Sequence, residues 1–395
     1  MTAAAVTACQ SSPPPSSTAP AALPADSPAR IAALLTSAMN RYHLQAVIAR
    51  VTVDGSEVYM GAMGSSMTGV PATTAMHFRN GAVAFTYIGE MLAILAGRGK
   101  MSLDDRLSKW LPNLPHANDI TLRMLASMTS GYADYVYQDE VLTGTDADPF
   151  RQWTNDELID SGVSEPLMFV PGKNWGYSHT NYLVLGQVIE KITGQPLATV
   201  MADEIFTPMG LTGTTGGSTA ELPEPALHSY SSERKTFLHI PADVGFYEDS
   251  TFWNPSWTTA AGAVQSTTIT DLATTAQTVG SGALVPADQY RQQVGNLLVG
   301  VGSKTAECPV CNTITADRGY GLGVLLLGKW IAQTKNFAGE GASMSYLPDR
   351  KIAIAVVTTL RADAYDDEGV AKDPTMPLLR SLAAVLAPDS PAGPS

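Results

Sequence analysis

The sequence predicts a mixed α/β (α+β) chain: a mostly antiparallel sheet flanked by helices, with a mostly α-helical half inserted between its strands. Three observations carry this reading. Runs rich in β-branched and aromatic residues gather near both ends of the chain. Asp54-Gly55 joins two of these runs, and an Asp-Gly link between such runs marks a hairpin and therefore antiparallel pairing. Between the two clusters, apolar residues recur at helical spacing.

In chain order, Ser27-Pro28 has the pattern of a helix cap followed by a first-turn proline. Ile31, Leu34, Leu35, Ala38, Met39 and Tyr42 then share one helical face. The hairpin follows as QAVIARVTVDGSEVYMGAMG. From His77 to about Ala283 the pattern changes to helices and long loops. Helices are expected over 83–96, with Ile88, Met91, Leu92 and Leu95 on one face, then over 181–193, stopped by Gly194, and over 267–279. Strands return from Tyr320 as YGLGVLLLG, KWIAQT, GASMSYL and KIAIAVVTT, with a Pro348-Asp349 turn before the last. A short apolar helix over 377–386 closes the domain. The division is thus a tether over 1–26, a domain over 27–386 and a frayed tail over 387–395. Within the domain, the sheet half takes 27–76 and 318–386, and the helical half takes 77–317. Neither an internal repeat nor a Rossmann or phosphate-loop glycine pattern is present.

Composition narrows the partners. A net charge of −13 argues against nucleic acid and against an anionic membrane surface, both of which need basic patches. Hydrophobic content of 45% is enough for a sizeable core, yet no apolar run reaches the ~18 residues of a membrane-spanning helix. At the N-terminus, Val6-Thr7-Ala8-Cys9 is similar to a bacterial lipobox. A Pro-, Ser- and Ala-rich stretch with the composition of a tether follows it. The expectation is lipidation at Cys9 outside the bacterial membrane; a chance cysteine in an unstructured N-terminus is the plainer reading. The residues before Cys9 are too few for a complete secretory signal, which points to a start placed too late or a truncated form.

Cys9, Cys308 and Cys311 are the three cysteines. In a cell-envelope protein, Cys308 and Cys311 of ECPVCN are expected as a disulfide. Free thiols, a metal or a redox pair are the alternatives, although no second Cys or His pair at ligand spacing accompanies them.

A series of segments then carries a resemblance. HFRNGAVAF, GKMSLDDRLSKWLP, ITLRMLASMTSGYADY, FVPGKNWGYSHTNYLVLGQVIEKITGQPL, IFTPMGLTGT, AAGAVQSTTITDLATTAQ, YGLGV and YLPDRKIAIAVVTT occur in that order. Together they resemble the serine β-lactamase family. More narrowly they resemble its class C β-lactamases, D-alanyl-D-alanine carboxypeptidases and related esterases. The likeness runs from about Ser27 to Leu386. It implies a β-lactamase/DD-peptidase-like fold with the active site between the halves, acyl transfer without a cofactor, and a penicillin-binding-like cell-envelope setting.

The resemblance also implies a chemistry. A serine opens a helix, and a lysine three residues later on the same face handles its proton. Helix-start and backbone N–H groups hold the oxyanion. A Tyr-x-Asn corner supplies a second proton-handling group, and a Lys/His-x-Gly strand binds the substrate's carboxylate edge. Residue by residue, the serine position holds Ala82 and the lysine position Phe85. Tyr177 keeps the tyrosine of the second motif, and His179 takes the asparagine position. Aligning KWIAQT and the following SYLPDRK without a gap puts Gln333 where Lys or His belongs. Thr334 matches, and Lys335 falls where glycine belongs.

These seven residues define a former-site pocket with Tyr177 as its vestigial catalytic group. Lys335 either projects into the pocket to meet a carboxylate or points to solvent. Phe85 either floors the pocket or simply packs the core. Ser232 and Lys235 meet Ser-x-x-Lys spacing, but their flanks are polar and no apolar helix follows. The expectation is a non-catalytic envelope protein that binds a peptidoglycan-type peptide, an acyl ligand or a protein partner, without a metal and touching the membrane only through a lipid anchor. A weak ester or peptide hydrolase with an unconventional nucleophile, and a structural protein with a closed cleft, are the competing readings.

Overall fold

A computed structural model describes residues 23–217, 219–258 and 260–393. Cys9 lies outside them. The main sheet comprises β1 (Leu44–Val53), β2 (Ser56–Met67), β3 (Val70–Pro71), β4 (Gly319–Tyr320), β5 (Leu325–Leu327), β6 (Trp330–Phe337), β7 (Glu340–Leu347) and β8 (Ile352–Leu360). Their spatial order is β3-β2-β1-β8-β7-β6-β5-β4, with antiparallel neighbours throughout. The Asp54-Gly55 turn makes the first hairpin, and both residues have positive φ (+49° and +79°), the backbone that an Asp-Gly link accepts. Strands from the two ends of the chain meet where β1 pairs with β8, Val51 opposite Ile354.

Every residue of β8 is buried. Because side chains alternate between faces, its two sets of apolar residues fill two different cores. Ile352, Ile354 and Val356 pack with Ile31 and Leu35 of α1 (Ser27–Arg41) and with Leu378 and Leu382 of a helix over Thr375–Leu386. Ala353, Ala355 and Val357 face the larger core, which includes the helical half.

The helical half enters through a short strand, His77–Arg79, paired antiparallel with Val264–Thr268, itself paired with Thr215–Gly217. The sequence pattern extended the third expected helix back to 267. Thr267 and Thr268 instead end the Val264–Thr268 strand, and the helix spans Ile269–Ser281. Thr268 caps it by accepting a hydrogen bond from Asp271 N (3.3 Å). The helical half therefore carries a small sheet of its own. No helix among the described residues is long and apolar enough to cross a membrane.

At the centre of this half lies α2 (Ala84–Gly97). Its residues from Ala84 to Leu95 are all buried, so it is a core helix rather than an amphipathic surface one. Its one charged residue there, Glu90, is fully buried and accepts a hydrogen bond from Gln293 Nε2 (2.9 Å). Burial pushes its carboxyl up to about 7, only partly offset by Gln293. The neutral form is thus favoured by folding. The associated stability is complete below the unfolded value of 4.5 and is lost as pH rises through about 7. Glu90→Gln should remove this dependence. Urea unfolding from pH 4 to pH 8.5 is expected to show the variant gaining on the parent by about 3 kcal/mol across that window.

Candidate functional site

The chain turns from the His77–Arg79 strand into α2 through Gly81, whose φ is +51°. A Cβ there would also stand 3.0 Å from Lys335 Cβ, so the junction needs glycine both for conformation and for space. One 3-10 turn, Gly81–Val83, precedes α2. Ala82 lies half-buried in this turn and presents only a methyl group.

One helical turn on, the Phe85 ring is fully buried. It stacks on Tyr182 with centroids 4.1 Å apart and 14° between planes, and meets His179 edge-on at 5.4 Å. Tyr177 stands 6.0 Å away. Thr86, next in sequence, is buried and donates to Gly323 O (2.9 Å).

Tyr177-Ser178-His179 lead into α3 (Thr180–Thr193). Their conformation is set by Asp134, 45 residues earlier. Asp134 Oδ1 accepts from the backbone N–H groups of His179 (3.1 Å) and Val136 (3.2 Å), and its Oδ2 lies 2.9 Å from His179 Nδ1. Ser178 is buried and donates to Ala133 O (3.1 Å). The Tyr177 and His179 rings meet edge to face, centroids 5.2 Å apart, and both residues are half-buried. Burial, together with the nearby Tyr320 and Asp134, holds the Tyr177 hydroxyl well above the ordinary phenol range, so it stays protonated.

On β6, the strand period separates the three residues of the third motif. Gln333 is buried; its Nε2 donates to Gly323 O (3.0 Å) and its Oε1 accepts from Thr334 N (3.0 Å). Thr334 turns to the other face, where it donates to Ala342 O (3.1 Å) and meets Thr375 (3.4 Å). It therefore does not line the pocket in which the sequence pattern put it. Lys335 shares a face with Gln333, but neither expectation for it describes its place. Its stem covers Gly81, and its ammonium forms a buried ion pair with Glu340. Glu340 Oε1 also accepts from Arg79 N (3.2 Å). Burial draws the Lys335 amine down and the Glu340 carboxyl up, and each partner opposes the other's shift. The Arg79 guanidinium turns away, donating to the carbonyls of Ala220 and Glu221.

Ser232 and Lys235 lie apart from this junction and brace a loop, Ser232 donating to Phe246 O (2.6 Å) and Lys235 to Ala242 O (2.9 Å). Cys308 and Cys311 are joined by a disulfide. Cys311 backs Gly176, beside Tyr177: a Cβ at Gly176 would stand 3.1 Å from its sulfur. Asp134, Tyr182, Gly323 and Glu340 escaped the sequence reading. Asp134, Tyr182 and Gly323 lie within segments quoted for the resemblance but had no role in it, Glu340 lies outside them, and only packing brings the four to the junction.

The sheet, the inserted helical half, and a strand-to-helix junction meeting a tyrosine corner and a third strand form a β-lactamase/DD-peptidase-like scaffold. The chain belongs to the Beta-lactamase family, whose profile matches residues 31–372. Esterase EstB of Burkholderia gladioli is 30% identical over 196 residues, covering 46% of this chain and 50% of the esterase. Penicillin-binding protein 4 of Amycolatopsis lactamdurans is 32% identical over 193 residues, 47% of each chain. The matched region thus spans about half the length of these relatives. Among solved structures, a D-amino acid amidase from Ochrobactrum anthropi SV3 superposes with a TM-score of 0.74 at 22% identity, covering 91% of this chain and 99% of the amidase. The octameric penicillin-binding protein homologue from Pyrococcus abyssi gives 0.71 at 18% identity, covering 91% of this chain and 77% of the homologue. At such identities these two establish the fold.

Two stability outcomes follow from the packing. Phe85→Ala removes a fully buried ring from a stack and is expected to cost about 3–5 kcal/mol in urea unfolding. Lys335→Met leaves Glu340 buried without its partner and should cost about 3–5 kcal/mol, whereas Lys335→Met/Glu340→Leu should restore most of that loss.

Proposed function

We propose that this chain is a family member that has left acyl-enzyme chemistry and acts by binding, in the space outside the bacterial membrane. The observation that carries this is Phe85. The family's helix face needs a hydroxyl and, three residues on, an amine. Here a methyl group is followed by a ring locked into an aromatic stack. Losing a nucleophile or its base alone costs about 10⁴–10⁶-fold in rate. The hydroxyls that could stand in are committed elsewhere: Ser178, Thr86 and Ser232 each donate to a main-chain carbonyl.

Binding remains supported by what is left. A backbone N–H does not depend on its side chain, so the Ala82 N–H stays in the turn that opens the helix whatever residue stands at 82. Tyr177 and His179 are only half-buried, which favours an accessible cleft over a sealed one. The ligand in this reading is a peptidoglycan-type peptide, another acyl compound or a segment of a protein partner. The penicillin-binding names among the relatives support a cell-envelope location, and Cys9 would supply the lipid anchor.

Intact-mass analysis after incubation with a fluorophosphonate, and separately with a penicillin, tests the proposal. The mass is expected to stay unchanged with both. Ala82→Ser alone should also remain unlabelled, because Phe85 offers no base. A stoichiometric adduct on the parent chain would overturn the reading, and its position would identify the nucleophile.

A further inference from the structure

Resting on the binding reading above, we infer that the cleft takes an uncharged carboxamide rather than a carboxylate, Tyr177 Oη donating to the amide oxygen and His179 Nε2 accepting its N–H. The first support is the state of the cations. Lys335 is bound to Glu340 inside the protein, and the Arg79 guanidinium is bound to the carbonyls of Ala220 and Glu221. Gln333, at the strand position from which the family meets a carboxylate, has its amide nitrogen on Gly323 O and its oxygen on Thr334 N. All three side chains are buried and bonded within the protein.

The second support is the polarity of the two groups that are left. Asp134 receives the Nδ1 side of the His179 ring at 2.9 Å. A carboxylate only accepts hydrogen bonds, so in a neutral imidazole the proton sits on Nδ1, and Nε2 presents a lone pair. Neither Nε2 nor Tyr177 Oη has a hydrogen-bond partner among the described residues, and both residues keep partial exposure. Tyr177 stays a protonated donor. A donor and an acceptor thus stand on adjoining rings, 5.2 Å between centroids and 80° between planes. A carboxamide offers the complementary pair, an oxygen that accepts and an N–H that donates. A carboxylate would set a second acceptor against the Nε2 lone pair, with the Asp134 charge just behind the ring.

Two ligands differing only in this group decide the matter: 3-phenylpropionamide and 3-phenylpropionate. Binding to the full chain is followed by ligand-observed NMR titration at pH 8.5, where the propionate is fully ionised. The amide is expected to bind at least about tenfold more tightly, which is the loss of one hydrogen bond plus a repulsive contact. The preference should fall below about threefold in His179→Ala and, independently, in Tyr177→Phe. The second variant removes one oxygen and keeps the ring, so it carries the test if the first does not fold. Equal or tighter binding of the carboxylate, binding of neither compound, or an unchanged preference in a folded variant would each overturn the inference. Conversion of the bound amide to the acid during the titration would uphold the amide preference and overturn the non-catalytic reading, so the two failures are separable.

Discussion

The carboxylate of Glu340 joins three pieces of chain that the rest of the structure needs in register. It pairs with Lys335 across the β6–β7 hairpin and accepts the backbone N–H of Arg79, the last residue of the strand leading to α2. One buried anion thereby locks the sheet half to the entrance of the helical half. Burying opposite charges together is weak evidence of net stabilisation, since desolvation offsets much of the attraction. Its effect here is positional. The Lys335 stem has to lie on Gly81, and only a glycine with positive φ leaves the space. The turn that aims Ala82 and α2 is therefore set from beneath by the sheet.

Above that turn, the arrangement is aromatic. Phe85 stacks on Tyr182 and takes the edge of His179, while His179 is fixed from its other side by Asp134. Buried ring contacts of this kind are worth about 0.5–1.5 kcal/mol each beyond the area they cover. The gain is rigidity at the tyrosine corner, with two polar tips held in place by neighbours that are themselves satisfied.

How much of this the sequence disclosed depended on the range of each interaction. The Asp54-Gly55 hairpin, α1, the helix opening after Gly81 and the closing strands follow from local chemistry and periodicity, and they are where the pattern put them within a few residues. The start of the Ile269–Ser281 helix was less legible, because Thr267 and Thr268 suit both a strand and a cap. The positions of Ala82 and Phe85 at the junction could be read from motif order. The fate of Lys335 could not, because a period of two says which residues share a face and not which partner waits there. Glu340 lies five residues away, across a hairpin turn. Asp134 was quoted within a motif without a role, and its hold on His179 arises only when a loop 45 residues upstream packs against α3. Thr334, chosen by likeness to the family, faces the opposite core.

The Phe85 stack also bears on which substitutions the junction can accept. A hydroxyl at 82 is a single change, but an amine at 85 would have to displace a ring packed against Tyr182 and His179 and would itself be buried. Position 85 is thus coupled to Tyr182 and His179, and a polar side chain there would require all three to be repacked together.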